Sequence, residues 1–412
     1  MKREQTDVLV IGAGPSGTVA ASMVNQSGLK VRIVEKQRFP RFVIGESLLP
    51  RCMEALEAAG FIEAIKNKGF QQKFGAKFMR GPQVCDFNFS EQFTKGWTWT
   101  WQVQRASFDT LLAEEVQKMG VQVDFETEVT GIRFNDTDSV TTVKNKDGEV
   151  SEIGARFLID ASGYGRVIPR LFNLDRPSSL PPRKTLFAHV KDIRRNDYDE
   201  PNRIIIISHV PGVWVWVIPF SNGITSVGFV GSPEFFESFK GSPEEQYRAM
   251  LAAEVNTDAR FRNVEFEFEP RVIEGWSVTT DKFHGDGFVL TGNVTEFLDP
   301  IFSSGVTLAT VSGHRAGLLA ARQVKGENVD WEKEFTEPTM QGVNVFKTYV
   351  MRWYDGSLPD IFYSPNQNAE IKKMICSVLA GYVWDQENPY VKKHDRAIKA
   401  LTELVRLESH SI

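Results

Sequence analysis

DVLVIGAGPSG, residues 7–17, is followed one helix-length later by VRIVEK, residues 31–36. An apolar run, three glycines at G-x-G-x-x-G spacing, and an acidic residue closing a second apolar run predict a dinucleotide-binding βαβ unit. Gly12 permits the tight turn out of the strand, Gly14 lets backbone approach a pyrophosphate, and Gly17 lets the helix pack closely on the sheet. The helix start then faces the phosphates with its free amides and the positive end of its dipole. Glu35, about 20 residues beyond the glycines, is placed to accept hydrogen bonds from a ribose diol.

With 412 residues, 42% of them hydrophobic, the chain can build two lobes with substantial cores. A net charge of −5 with scattered Lys and Arg gives no basic field, so nucleic acid is not an expected partner. Cys52, Cys85 and Cys376 lie far apart and the six histidines show no ligand spacing, so free thiols and no metal site are expected. The glycine motif leaves no room for a signal peptide ahead of it, and no apolar run has the length of a membrane span. The expectation is a cytoplasmic protein without an integral membrane segment.

Outward from the first unit, FPRFVIGESLLP (39–50) carries two bounding prolines, Arg41 and the triplet Gly45-Glu46-Ser47, and reads as a loop passing over something or as an ordinary connection before a helix at 51–59. In GFQQKFGAKFMR (69–80), Lys73 and Lys77 share a face if the segment is one strand, and a solvated edge accounts for both equally well. Trp97, Trp99 and Trp101 recur at period two, either filling a core or flooring an aromatic pocket. A helix over 105–119 opens at Arg105, strands follow at 121–125 and 129–134, the latter starting at Val129, and Asp147-Gly148 signals a hairpin. The strand ARFLIDAS (155–162) ends in Asp160, a second acid at a strand's C-terminal end, where open α/β sheets place ligands.

From about 177 to 231, β-branched and aromatic runs separated by turns predict an antiparallel sheet without a phosphate loop of its own, with a helix at 243–256 and a further strand at 266–276. GDGFVLTGNVTEFLDPIFSSG (285–305) then repeats the opening logic. A strand enters Gly292-Asn293, and the amides at 303–305 start a helix running from about Val306 to Val324. That helix start suits an anion or a sugar-phosphate spacer, or Ser303 and Ser304 are merely its cap. The tail from Trp331 is helical and aromatic-rich, expected to close the second lobe or dock on the core.

With its glycine motif, Gly292-Asn293 and the W-x-W-x-I-P stretch Trp214–Pro219, the chain resembles FAD-dependent oxidoreductases of the glutathione-reductase-like type, within them the flavin-dependent halogenase (tryptophan halogenase) and geranylgeranyl reductase-like group. The resemblance covers roughly the first four-fifths of the chain. It implies an α/β fold, α+β overall: a Rossmann FAD-binding lobe (1–80, 100–175, 285–325), an inserted antiparallel-sheet substrate lobe (81–99, 176–284) and a helical C-terminal segment (326–412). FAD is the implied cofactor. Its implied contacts begin with Gly12, Gly14, Pro15, Ser16, Gly17, Glu35 and Lys36, continue through Arg41, Gly45, Glu46, Ser47, Arg105, Val129 and Asp160, and end with Gly292, Asn293, Pro300, Gly305 and Val306. The group's later Gly-Asp pair is here Gly292-Asn293, a neutral amide that still donates and accepts hydrogen bonds.

The resemblance also implies chemistry. Reduced FAD, oxygen and a halide ion, chloride or bromide, give hypohalous acid, which travels to an essential lysine, by order and context Lys73. The amides of Ser304 and Gly305 form the implied halide site. Trp214, Trp216 and Pro219 keep substrate away from the flavin. Tryptophan-halogenating enzymes carry a glutamate where this chain has Phe302, which points to phenolic or carrier-protein-bound aromatic substrates rather than free tryptophan. A separate flavin reductase is the implied partner. Reduction of isoprenoid double bonds, aromatic monooxygenation and flavin binding without turnover are the alternatives.

Overall fold

The computed structural model describes residues 3–135, 138–178, 180–276 and 278–409. Two large sheets organise them. The parallel core of the first runs Phe288–Leu290, Val150–Asp160, Arg3–Ile11, Val31–Val34, Gln122–Asp124. Val8, Leu9 and Val10 on its central strand are fully buried, as an apolar run covered on both faces requires. Helices Pro15–Gln26 and Ser304–Val324 lie against each other without intervening side chains. A Cβ on Gly313 would stand 2.3 Å from the Ser16 carbonyl oxygen, and one on Gly317 2.5 Å from that of Ala20. The Asp147-Gly148 turn joins Asp138–Asn145 to Val150–Asp160 in an antiparallel hairpin.

The second sheet has seven strands, in the order Arg271–Glu274, Lys184–Lys191, Ile224–Gly231, Val213–Pro219, Ile204–Val210, Gly75–Arg80, Gln83–Asn88. It is antiparallel except where Ile204–Ile207 runs parallel to Ala76–Met79. Gly75–Arg80 therefore pairs within this sheet, although the boundary expected at residue 80 leaves it with the first lobe. One face of the sheet packs on helices Pro243–Ala253 and Val255–Phe261, and the other receives the C-terminal helices. Phe346, Tyr349, Trp353 and Phe362 join Phe78, Phe87, Trp214 and Phe302 in one apolar cluster.

Several local expectations shift. Lys73 and Lys77 do not share a strand face, because the chain breaks at exposed Phe74 into Gln71–Lys73, paired with Thr100–Gln102, and Gly75–Arg80. Only Thr100–Gln102 of the tryptophan-rich stretch is strand, yet Trp97, Trp99 and Trp101 still stack edge to face at 5.5 and 5.0 Å and pack on the first core. The helix expected at 243–256 divides at Glu254, whose side chain accepts the Thr257 amide and starts a second helix. Cys52, Cys85 and Cys376 are free and buried.

Candidate active site

A cavity of about 770 Å³ opens where the parallel strands end and the second sheet begins, a size suited to a ligand. Gly12, Gly14, Pro15, Ser16, Glu35 and Lys36 form one wall. Arg41, Gly45, Glu46 and Ser47 cross its front on the 39–50 strap, with Arg105 and Val129 beside them. Gly292, Asn293, Pro300, Gly305 and Val306 face them, and Ile204, Ile206, Trp214, Trp216 and Ile218 of the second sheet close the far end.

Gly17 and Asp160 do not line this cavity. A Cβ on Gly17 would lie 2.0 Å from the Gly12 carbonyl oxygen, so its part is close packing. Asp160 is fully buried and its oxygens accept the amides of Ser162 (3.0 Å) and Ile168 (2.7 Å), which ties down the turn after its strand. Burial holds its pKa above the ordinary carboxylate value. Ser304 also stays behind the wall, whereas its neighbours Ser303 and Gly305 face the cavity. The helix begins at Ser304 rather than Val306, with Ser303 in the left-handed conformation at φ 56°. No side chain caps it.

The polar groups of the first wall suit a dinucleotide. Glu35 accepts the Ala13 amide at 2.9 Å through one oxygen and the Gln37 amide at 2.8 Å through the other, and each oxygen keeps a lone pair for a ribose hydroxyl. The nearest atom to a Cβ on Gly14 would be Arg41 Nη2 at 3.6 Å, so the backbone here is open to a close approach. The helix Pro15–Gln26 has no side-chain cap. Ser16 Oγ and Glu46 Oε2 are buried and find no hydrogen-bond partner among the described residues. Orphaned polar atoms in a cavity wall are what a bound polar cofactor satisfies.

A buried charge cluster fixes the strap. Asp109 is fully buried and takes two hydrogen bonds from Arg105 (2.8 and 2.9 Å) and one from Arg41 (2.8 Å). Arg105 also donates to the carbonyls of Ile44 and Gly45 at 3.2 and 3.4 Å. Asp109 is absent from the sequence expectation. Its spacing four residues after Arg105 on a helix was the available signal.

Lys73 lies one side chain behind the cavity wall. Its side chain is 2% exposed, and Nζ donates to Ser47 Oγ and the Leu48 carbonyl, both at 2.8 Å, with the Phe89 ring 5.5 Å away. Burial pushes its pKa down to about 7. The solvated-edge alternative therefore fails for Lys73, while Lys77 is half-buried and pairs with Glu200 at 3.0 Å. Beside Lys73 is the Cys52 thiol, whose pKa burial pushes up to about 12, so it stays protonated.

Trp214 and Trp216 point to one side of their strand with ring centres 6.0 Å apart. Trp216 Nε1 donates to Ser226 at 3.0 Å, and its indole fills the space over Gly228, where a Cβ would come within 2.2 Å. Trp214 Nε1 donates to Tyr354 Oη at 2.9 Å, and Tyr354 in turn donates to Asp299 at 2.8 Å. Burial pushes the Asp299 pKa up to about 6. Pro219 lies outside the cavity, its carbonyl accepting the Gln102 amide. Sequence reasoning missed Asp299 and Tyr354, which sit 55 residues apart with no shared motif. It also missed Arg166, which donates to the carbonyls of Asn293 and Val294 at 3.0 and 3.1 Å and holds that turn against the cavity.

Comparison with known proteins agrees with this geometry. The FAD binding domain family matches residues 5–331. A tryptophan 2-halogenase of Chondromyces crocatus is 30% identical over 378 residues, covering 89% of this chain and 69% of that protein. The chain belongs to the flavin-dependent halogenase group of FAD-binding oxidoreductases. FAD is its cofactor. A 1H-pyrrole-2-carbonyl-[peptidyl-carrier protein] brominase of Pseudoalteromonas luteoviolacea is 26% identical, covering 92% of this halogenase-like chain and 93% of its own. Among solved structures, a flavoprotein/dehydrogenase from Cytophaga hutchinsonii superposes with a TM-score of 0.97 at 59% identity, over 98% of this chain and all of that one. A flavin-dependent brominase shares the fold, with a TM-score of 0.86 at 24% identity over 98% and 99% of the two chains. No helix among the described residues is long and apolar enough to cross a membrane.

Proposed function

We propose that this halogenase-like flavoprotein transfers an oxidised halogen to an electron-rich aromatic, phenolic or presented on a carrier protein, with FAD reduced by a separate flavin reductase. The carrying observation is the Lys73 amine, held behind the cavity by Ser47 and Leu48 with its pKa near 7. Reduced FAD, when bound, supplies the electrons that activate oxygen, so that chloride or bromide is oxidised to hypohalous acid.

The residues of the chain divide the remaining work. The uncapped helix start offers the amides of Ser304 and Gly305 to a halide, the Ser303 amide being taken by the Pro300 carbonyl at 2.9 Å. Trp214 and Trp216 fill the far end of the cavity and keep an aromatic substrate from the cofactor. Ser47 lines the cavity and also accepts from Lys73, so it is the contact through which hypohalous acid reaches the amine. An amine with a pKa near 7 is partly neutral at physiological pH and can either donate a hydrogen bond to the acid or attack its halogen. Incubation with a flavin reductase, a halide and a panel of phenols tests the reading. A halide-dependent mass shift that disappears in Lys73→Ala supports it, and turnover unchanged without halide overturns it.

One observation favours a second reading, reduction of an apolar substrate by hydride transfer: the end of the cavity is walled by Ile204, Ile206, Ile218, Val230 and Ile273. That reading predicts a hydrogenated product without oxygen and leaves turnover of Lys73→Ala intact.

A further inference from the structure

The strap 39–50 has almost no regular structure of its own, so its position depends on what holds it. Its ties to the first lobe are the Arg41 and Arg105 contacts above, with Val103 N donating to the Glu46 carbonyl at 2.7 Å and Leu48 N to that of Trp101 at 3.1 Å. Its polar tie to the second sheet is Glu46 Oε1 against His189 Nε2 at 2.7 Å. Both side chains are nearly solvent-free, at 1% and 6% exposure. The second carboxylate oxygen of Glu46, Oε2, is buried without a partner among the described residues, and Glu46 lines the cofactor cavity.

His189 is surrounded in a way that selects its charged form. Its other nitrogen, Nδ1, lies 3.4 Å from Glu267 Oε2, so a carboxylate faces each ring nitrogen, and only the imidazolium donates from both. The rings of Phe42, Phe220 and Phe268 enclose it, and Arg271 caps Phe42 and Phe268. Burial works against the charge, but Glu46 and then Glu267 outweigh it and raise the pKa above the ordinary histidine value.

We propose that His189 is a positioning residue for the cofactor: by holding Glu46 Oε1 it fixes the strap and presents Oε2 as acceptor to an N–H or O–H of bound FAD. Without the imidazolium charge, Glu46 Oε1 has at most a neutral donor, and the other cation close to it, Arg105, is already engaged by Asp109, so the strap and its acceptor are held more loosely. Because the raised pKa belongs to a base, the charge-assisted pair is present at acid and neutral pH and weakens to a neutral hydrogen bond as pH rises through the His189 pKa.

The test is the FAD dissociation constant of the purified full-length chain, followed by flavin fluorescence from pH 5.5 to 9.5, with a melting curve at each pH. The wild type should bind about tenfold to a hundredfold more weakly at the alkaline end, the range expected for one charge-assisted hydrogen bond. His189→Leu should bind weakly at every pH, and His189→Gln, which keeps a neutral donor near the Nε2 position but no charge, should bind at every pH with the affinity the wild type shows at its alkaline end, tighter than the Leu variant. Glu46→Gln should lose the pH dependence while His189 remains. A flat wild-type profile overturns the proposal. So does equal affinity in His189→Leu and the wild type, or equal weakness in the Leu and Gln variants, which reports packing alone. Should His189→Leu fail to fold, the wild-type profile and Glu46→Gln decide the question.

Discussion

Replacing Lys73 by Met should stabilise the protein at neutral pH and destabilise it at high pH. The lysine pKa falls from 10.5 to about 7 on burial, and at 1.36 kcal/mol per unit the charged form costs the fold about 5 kcal/mol. Between those two values the unfolded chain holds a proton on this amine that the folded chain does not. Wild-type stability therefore rises with pH across the window and gains nothing further above it. Met fills nearly the same volume without a charge but forfeits the hydrogen bonds to Ser47 and Leu48, together about 2–3 kcal/mol. The variant should be more stable by about 2 kcal/mol at pH 7, lose that advantage at roughly 1.4 kcal/mol per pH unit, and fall below the wild type beyond about pH 8.5. Urea titrations of both proteins at pH 7, 8, 9 and 10, with FAD present in equal excess, read the difference directly. A variant less stable than the wild type at every pH by a constant amount would refute the reasoning, since it would show that the amine is neutral or well solvated in the fold. Loss of halogenation alongside the neutral-pH gain would mark Lys73 as a group kept at a cost in stability for its chemistry.

Gly17→Ala should give protein purified without yellow colour and melting well below the wild type, because its Cβ would meet backbone at 2.0 Å. Gly14→Ala, with nothing nearer than a flexible arginine at 3.6 Å, should fold normally and show weaker FAD binding by fluorescence. Asp109→Asn leaves Arg41 and Arg105 without their buried counter-charge. It should cost about 3–5 kcal/mol in denaturant titration, with faster proteolysis at the strap. Asp299 has a raised pKa near 6, so its burden on the fold is absent at acid pH and grows as pH rises from the ordinary carboxylate range through 6. Asp299→Asn should flatten that part of the stability profile, and an unchanged slope between pH 4 and 6.5 would contradict it.

The cofactor class was legible because its signal is local. Gly12, Gly14, Gly17 and Glu35 lie within one βαβ unit, and each residue's physical role follows from spacing alone. The split between Lys73 and Lys77 was not legible. Alternating aromatic and basic residues look like one strand, and nothing in GFQQKFGAKF announces that Phe74 turns outward and hands the next strand to another sheet. Asp160 misled for a related reason: a carboxylate at a strand end can serve a ligand or its own turn, and the amides of Ser162 and Ile168 decide between them only after folding. Glu46 and His189 are 143 residues apart, and Trp214 and Tyr354 140. Such pairs exist in the fold and nowhere in local pattern.

These long-range pairs converge on one irregular segment. The strap touches the first lobe through Arg41 and Arg105, the second sheet through Glu46, and Lys73 through Ser47 and Leu48. Of its residues, 41–47 form the front wall of the cavity. A group entering that cavity and satisfying Glu46 Oε2 would touch the same short stretch of backbone that holds the lysine amine one residue further on. The physical coupling is short, since Glu46 and Ser47 are adjacent and in extended chain their side chains leave opposite faces. One faces the second sheet through His189 and the other faces Lys73. The same dipeptide thus meets the cofactor cavity on one side and Lys73 on the other, and weakening either neighbour should loosen the other.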